Sequence, residues 1–387
     1  MHLQQPHLMI LNKEIGYYVV DNLEFASKIE ACAYATQHNK DVKWIFNEDT
    51  FGKYDWTIEP TETLVDLYNQ RARELREKYD YIVISYSAGS DSHNMLMSFI
   101  RQGLHVDEII VNTFEKANKI IVNDASIKDN WNYGAEYKLQ IYPRLEEIRK
   151  LLPRTKIEVV DLSDHLFEKF QTASDINWVL DQKEVINPSG MTRYNYLHFK
   201  EIRKQFDKGY KIALIVGVEK PTTYIKGDDF HVAFFDRSAN IAPVHLHFKE
   251  YDNTTIEYFY WHPSCVKLIA KQVHTIKHWL TANPQFKPLW TFTTKEQFGK
   301  NGATIHQVLR SVIYADTWNP SWYQANKSTK IWYDEIDDWF RASYSDTKEF
   351  QVWQSGVNWV RENASKFVQA DGEGLELFFK VYWAGKI

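Results

Sequence analysis

Hydrophobic positions change their spacing several times along the chain, and each change marks an element. Residues 1–60 read as short strands and turns, with a helix expected around residues 25–38. Glu59-Pro60-Thr61 then introduces a helix in which Leu64, Leu67, Tyr68, Leu75 and Tyr79 recur at helical spacing. Arg71, Arg73, Glu74 and Arg76 fill the other positions. The run Tyr81-Ile-Val-Ile-Ser-Tyr86 predicts a buried strand, followed by a helix over 91–101 and a second strand over 106–112. Pro143 opens another helical pattern through Ile148, Leu151 and Leu152, and residues 156–161 and 211–216 are strand-like. Apolar strands alternating with helices predict an α/β fold, a mostly parallel sheet with helices on both faces.

The texture changes after about residue 245. Ten of the fourteen tryptophans lie between Trp261 and Trp383, among helical patterns such as Ile305, Val308, Leu309, Val312 and Ile313. We therefore expect three parts: an appendage over 1–74, the α/β unit over 75–245, and an aromatic-rich, mainly helical region over 246–387. The run Glu257-Tyr-Phe-Tyr-Trp-His-Pro263 suits a packed strand or a seam, or else a stacking surface for a base.

Composition narrows the function classes. A formal charge of −5 disfavours an indiscriminate nucleic-acid coat. Cys32 and Cys265 alone provide neither a disulfide framework nor a redox pair. No leader pattern and no apolar stretch of spanning length is seen, so a cytoplasmic protein with no membrane partner is expected. His245, His247, His262 and His274 show no zinc spacing, and Asp228-Asp229-Phe-His231 reads equally as a charged turn or a weak metal site.

Chemistry enters at Ser87-Ala-Gly-Ser-Asp-Ser92, where the first strand meets the following helix. Gly89 lets the backbone turn tightly, and the first amides of the helix have no intrahelical acceptor. Ser87, Ser90 and Ser92 add hydroxyls, and the helix dipole favours an anion. Asp91 suits a Mg²⁺ ion bridging phosphate oxygens, or an ordinary helix cap. No Gly-x-x-x-x-Gly-Lys-Ser/Thr pattern occurs at this turn, which argues against a Walker-type site.

The hexapeptide resembles the PP-loop of N-type ATP pyrophosphatases, Ser-Gly-Gly-x-Asp-Ser, at five of six positions, with Ala88 in place of the first glycine. The resemblance covers roughly residues 75–240. It implies ATP and Mg²⁺ as cofactors, with Ser87, Ala88, Gly89, Ser90 and Ser92 around the phosphates and Asp91 at the metal. It also implies attack on the α-phosphate, formation of an adenylate and release of pyrophosphate. Asn112 and Thr113 end a strand in a manner similar to the sulfonucleotide-reductase branch and would border adenine or ribose. Gly217-Val-Glu-Lys-Pro221 looks like the substrate loop of related enzymes. Gly217 would allow close approach, Lys220 would neutralise the leaving pyrophosphate, and Glu219 would bind Mg²⁺ or pair with Lys220.

Eight Lys or Arg between residues 193 and 226, including Arg193 and Lys226, form a stretch suited to a phosphorylated second substrate, a nucleotide or nucleic acid. A solvated helical face is the simpler reading for part of it. The expected function is ATP-dependent activation of a small molecule or nucleobase for amide formation or nitrogen transfer. Sulfur transfer or sulfonucleotide processing, and a nucleotide- or nucleic-acid-binding adaptor without turnover, stand as alternatives, and self-association into a homo-oligomer is left open.

Overall fold

The first elements form where short alternating or capped stretches allow. In the computed structural model, which describes residues 13–113, 137–161, 208–236, 254–293, 295–323, 348–369 and 375–387 with a few isolated positions between them, strands β1 (Tyr17–Val20), β2 (Leu23–Phe25) and β3 (Lys43–Ile45) make an antiparallel sheet ordered β2-β1-β3. Helix α1 (Lys28–Gln37) starts at Ser27, whose hydroxyl accepts the Glu30 amide, and a short α2 spans Glu48–Phe51. Helix α3 (Leu64–Lys78) begins where Thr63 and Asp66 cap each other reciprocally, each accepting the other's backbone N–H.

The predicted α/β unit follows: β4 (Tyr81–Ser85), α4 (Ser90–Arg101), β5 (Glu108–Thr113), α5 (Tyr142–Leu151), β6 (Lys156–Asp161) and β7 (Ile212–Val216). Pro143 sits at the start of α5, directly after the helical turn Tyr137–Ile141. An antiparallel hairpin, β8 (Thr222–Lys226) and β9 (Asp229–Phe235), comes next, and then β10 (Thr254–Tyr258). The remaining elements are helices α6 (Val266–Ala282), α7 (Lys287–Trp290), α8 (Lys295–Ile313) and α9 (Lys348–Asn363), closed by β11 (Phe379–Lys386).

The main sheet is ordered β10-β7-β4-β5-β6 and every pairing in it is parallel. In order of appearance this is 3-2-1-4-5 from the β6 edge. The chain first moves outward from β4 and then returns to its other side at β7. Such a reversal opens a crevice at the carboxyl ends of the two strands. The fold is thus the expected mixed α/β one, a parallel sheet flanked by helices with a helical C-terminal region. Two strands come from beyond residue 245. Strand β10 completes the parallel sheet beside β7, and β11 pairs with β9 to build the sheet β11-β9-β8. Helix α6 packs on α3 and on α8, and α3 also packs on α4. Among the described residues, no helix is long and apolar enough to cross a membrane.

Arg71, one of the charged positions between the apolar ones of α3, is buried. Its guanidinium meets Glu257 at 3.0 Å and donates to the carbonyls of Tyr258 and Phe259 and to the Ser264 hydroxyl. Glu257 also takes Lys78 at 2.6 Å, the Tyr79 hydroxyl, and His262 at 3.3 Å. Burial works to raise the Glu257 carboxyl, but Arg71 and His262 outweigh it and hold it at about 2. A charged helix position is therefore an inward one when a carboxylate waits inside.

A second buried pair joins the N-terminal part to the hairpin. Lys28 Nζ lies 2.8 Å from Asp236 Oδ2, with both side chains fully buried. Asp236 also accepts from the Tyr18 hydroxyl and from the Phe378 amide. Replacing Lys28 by Met leaves the carboxylate buried without its cation, so Lys28→Met should lower unfolding stability by about 3–5 kcal/mol in urea titration. The double variant Lys28→Met/Asp236→Asn should recover part of that loss. A neutral single variant would remove the pair from the determinants of the fold.

Candidate functional site

The predicted turn lies at the crevice between β4 and β7. Ala88 has φ +55°, the left-handed region that the PP-loop pattern normally fills with glycine. Its carbonyl accepts from Gln140 Nε2 at 3.1 Å and from Arg144. Gly89 is the N-cap of α4 and offers no side chain to cap it. The first intrahelical bond runs from the His93 amide to the Gly89 carbonyl, which leaves the Ser90, Asp91 and Ser92 amides without intrahelical acceptors.

The hydroxyls play a different part from the one their composition suggests. Ser92 Oγ donates to the Gly89 carbonyl and accepts the Ser87 amide, while Ser87 Oγ accepts the Gly89 amide. They brace the turn from within. Gly217 is needed for close approach, as expected, but the approach is to the protein. A Cβ there would stand 3.0 Å from the Ser92 nitrogen and 3.1 Å from the Asp91 carbonyl carbon.

That approach brings the two expected catalytic residues together. Lys220 Nζ is 2.5 Å from Asp91 Oδ2, with side chains 5% and 24% exposed respectively. Tyr314 donates to Asp91 Oδ1 at 2.8 Å, and the Tyr260 hydroxyl donates to the Asp91 carbonyl at 2.9 Å. Burial acts to raise the Asp91 carboxyl, yet the Lys220 charge and the hydrogen bonds from Lys220 and Tyr314 pull it below the usual range. Burial lowers Lys220, against the opposing pull of Asp91. Tyr314 stays protonated because burial and the adjacent carboxylate both push its hydroxyl up. Arg310 and His306 on α8 add positive potential around the same carboxylate.

The other expected positions divide. Thr113 is buried and donates to the Val160 carbonyl at 3.4 Å, bridging β5 and β6. Asn112, beside it at the end of β5, has a buried Oδ1 without a hydrogen-bond partner among the described residues. Glu219 is half-buried beside Lys220 and favours its charged form. Lys226 stands exposed at the far end of β8, a strand's length from Lys220, and is not brought to the turn. Arg193 lies outside the described residues. Asp229 is engaged by Lys386 and Trp383, while His231 stacks on Tyr224, so the charged-turn reading fits that segment.

Residue spacing did not find Tyr260, Tyr314, Gln140 or Arg144. Arg144 lies 4.3 Å from the Trp322 ring and 5.0 Å from that of Trp318. The aromatic run was noted as a whole, and of its members Tyr260 is the one that reaches Asp91. A cleft of about 320 Å³ lies nearby, lined by His93, Met97, Glu147, Ile148, Trp318 and Trp322 among others. His93 follows Asp91 by two residues, roughly 200° around the helix, so this cleft opens on another face of α4.

Compared with models of known protein families the chain has no match, and compared with curated proteins it likewise has none.

Two outcomes follow from the local geometry. At Ala88, relief of left-handed strain offsets the lost methyl burial and the added freedom of glycine, so Ala88→Gly should change stability by less than about 1 kcal/mol. Ala72→Gly, in the buried face of α3, should cost about 1–2 kcal/mol in the same denaturation experiment. Equal losses at both sites would contradict the strained turn.

The second concerns His93. Burial, and then the Arg144 charge, push its imidazole from 6.5 down to about 4. Between those values the unfolded chain binds a proton that the folded chain refuses. Stability from this group is therefore full above pH 6.5 and is lost as pH falls toward about 4. The loss should be on the order of 3 kcal/mol, and His93→Gln should flatten that part of the stability–pH curve. An unchanged slope would assign the dependence to other groups.

Proposed function

We propose that the crevice between β4 and β7 binds Mg²⁺·ATP and that the protein transfers AMP to an acceptor, releasing pyrophosphate. The observation carrying this reading is Ala88 at φ +55°. A strained residue kept at the position where the PP-loop pattern has glycine is the mark of a backbone shape held for a purpose. Uncapped amides at the start of α4 and the parallel-sheet reversal beside them support the same reading.

In this reading the α4 amides would hold phosphate oxygens and Asp91 would hold the Mg²⁺, which would neutralise phosphate charge. Lys220 would stand by to offset charge developing on the departing pyrophosphate. Tyr314 and Tyr260 hold Asp91 in place throughout. Acceptors for amide formation or nitrogen transfer fit best, because neither cysteine is available for sulfur chemistry. Cys32 and Cys265 are both buried, and burial pushes their thiols up to about 12 and about 11. The close Asp91–Lys220 pair also favours a second reading, a nucleotide-binding protein that does not turn ATP over.

Products of α-labelled ATP, measured with Mg²⁺ and a panel of amine, carboxylate and nucleobase acceptors, decide between them. AMP and pyrophosphate are expected, and ADP would sink the assignment. Binding with no turnover across the panel would leave the second reading. Lys220→Ala should reduce turnover by roughly 10²–10³-fold while changing nucleotide affinity much less. Tyr314→Phe, which removes one hydroxyl, should shift the Mg²⁺ dependence through Asp91.

A further inference from the structure

Away from the crevice, three side chains converge that nothing in the nucleotide reading uses. His274 and His278 are four residues apart on α6 and so share one face of that helix. Glu59, from the segment leading into α3, meets them there. One ligand atom from each of the three lies within 4.8 Å of the others, and His278 Nε2 is 2.7 Å from Glu59 Oε2.

We propose that Glu59, His274 and His278 form a Zn²⁺ site that fastens the segment before α3 to α6. Two imidazole nitrogens and one carboxylate are a donor set for a borderline cation such as Zn²⁺, whereas Mg²⁺ and Ca²⁺ take oxygen ligands. Three protein donors leave a fourth tetrahedral position for water.

The surroundings supply outer partners as well as donors. His274 Nε2 lies 3.1 Å from the Trp56 carbonyl, which can only accept, so that nitrogen carries the proton. The other ring nitrogen then holds the lone pair a metal needs, and a backbone carbonyl is the usual partner of a ligating imidazole. Lys271 Nζ holds Glu59 Oε1 at 2.7 Å, which orients the carboxylate so that Oε2, paired with His278 Nε2, is the oxygen a cation would share with that imidazole. The ammonium also repels a dication, so it tempers the affinity. Burial is graded suitably: His274 is 5% exposed, while the His278 side chain is 66% exposed and leaves a path of entry.

Calorimetric titration of the full, chelator-treated chain with Zn²⁺ tests the site. One saturable equivalent is expected, with no such binding of Mg²⁺ at the same concentrations. The melting temperature should rise with free Zn²⁺. Co²⁺ should give the intense visible bands of a tetrahedral ion. His278→Ala and Glu59→Gln, both at partly exposed side chains, should each weaken Zn²⁺ binding at least ~10-fold. Absence of saturable binding, or binding indifferent to both substitutions, would overturn the site. Neither result bears on ATP products, so this site and the nucleotide crevice stand or fall separately.

Discussion

At Gly217 the chain leaving β7 presses against the start of α4 with no room for a side chain, a Cβ there falling 3.0 Å from the Ser92 nitrogen. Much of the molecule is arranged around that contact. It delivers Lys220 to Asp91 three residues later. It also sets the Val218 carbonyl to receive the amides of Tyr260 and Trp261, so the exit of β10 is tied to the exit of β7. From there Tyr260 bonds to Asp91 and accepts from Asn94, whose amide oxygen accepts from Thr317 beyond α8. Segments from four distant parts of the chain thus meet at the first turn of one helix. A larger residue at position 217 would disturb all of them, because packed interiors do not yield locally.

Two buried carboxylates show how differently the same chemistry is used. Glu257 is fully buried, and Arg71, Lys78, Tyr79 and His262 all converge on it. That arrangement locks α3 to β10 and offers nothing to a ligand. Asp91 keeps a quarter of its side chain open and, among the described residues, has a single close cation. An ion pair with one partner and an open side can be exchanged for another cation, whereas removing any member of the Glu257 cluster strands a buried charge. Position relative to the sheet agrees with this division, since Asp91 stands at the strand reversal and Glu257 lies against α3.

Parallel strands buried on both faces announce themselves as apolar runs, which is why residues 81–86, 106–112 and 211–216 could be recognised in the sequence. The antiparallel sheets were legible only as unplaced short strands within residues 1–60. β2 and β3 have three residues each, too few to display alternation, and β11 pairs with β9 across more than a hundred residues. At the site, Ser87–Ser92, Gly217 and Lys220 were visible because a tight turn and an isolated basic loop leave local marks. Tyr314 and Arg144 leave none, for their roles exist only once α8 and α5 have packed beside α4. Arg71 shows the complementary limit. Helical spacing shows which positions share a face, and it cannot show that a carboxylate lies inside.

The PP-loop resemblance rests on six residues, and the chain matches no family model. These two facts are compatible, because what holds phosphate in such a turn is mostly backbone. Amides at a helix start and one left-handed residue depend on φ and ψ, and many side chains permit the same path. Strand order likewise survives replacement of nearly every side chain that builds it. Ala88 carries particular weight on this account. Glycine would adopt its conformation without strain, and an alanine that still adopts it is held there by Gln140 and Arg144 on its carbonyl and by complete burial of its methyl. Neighbours that hold a residue against its own preference define the turn more firmly than the glycine they replace.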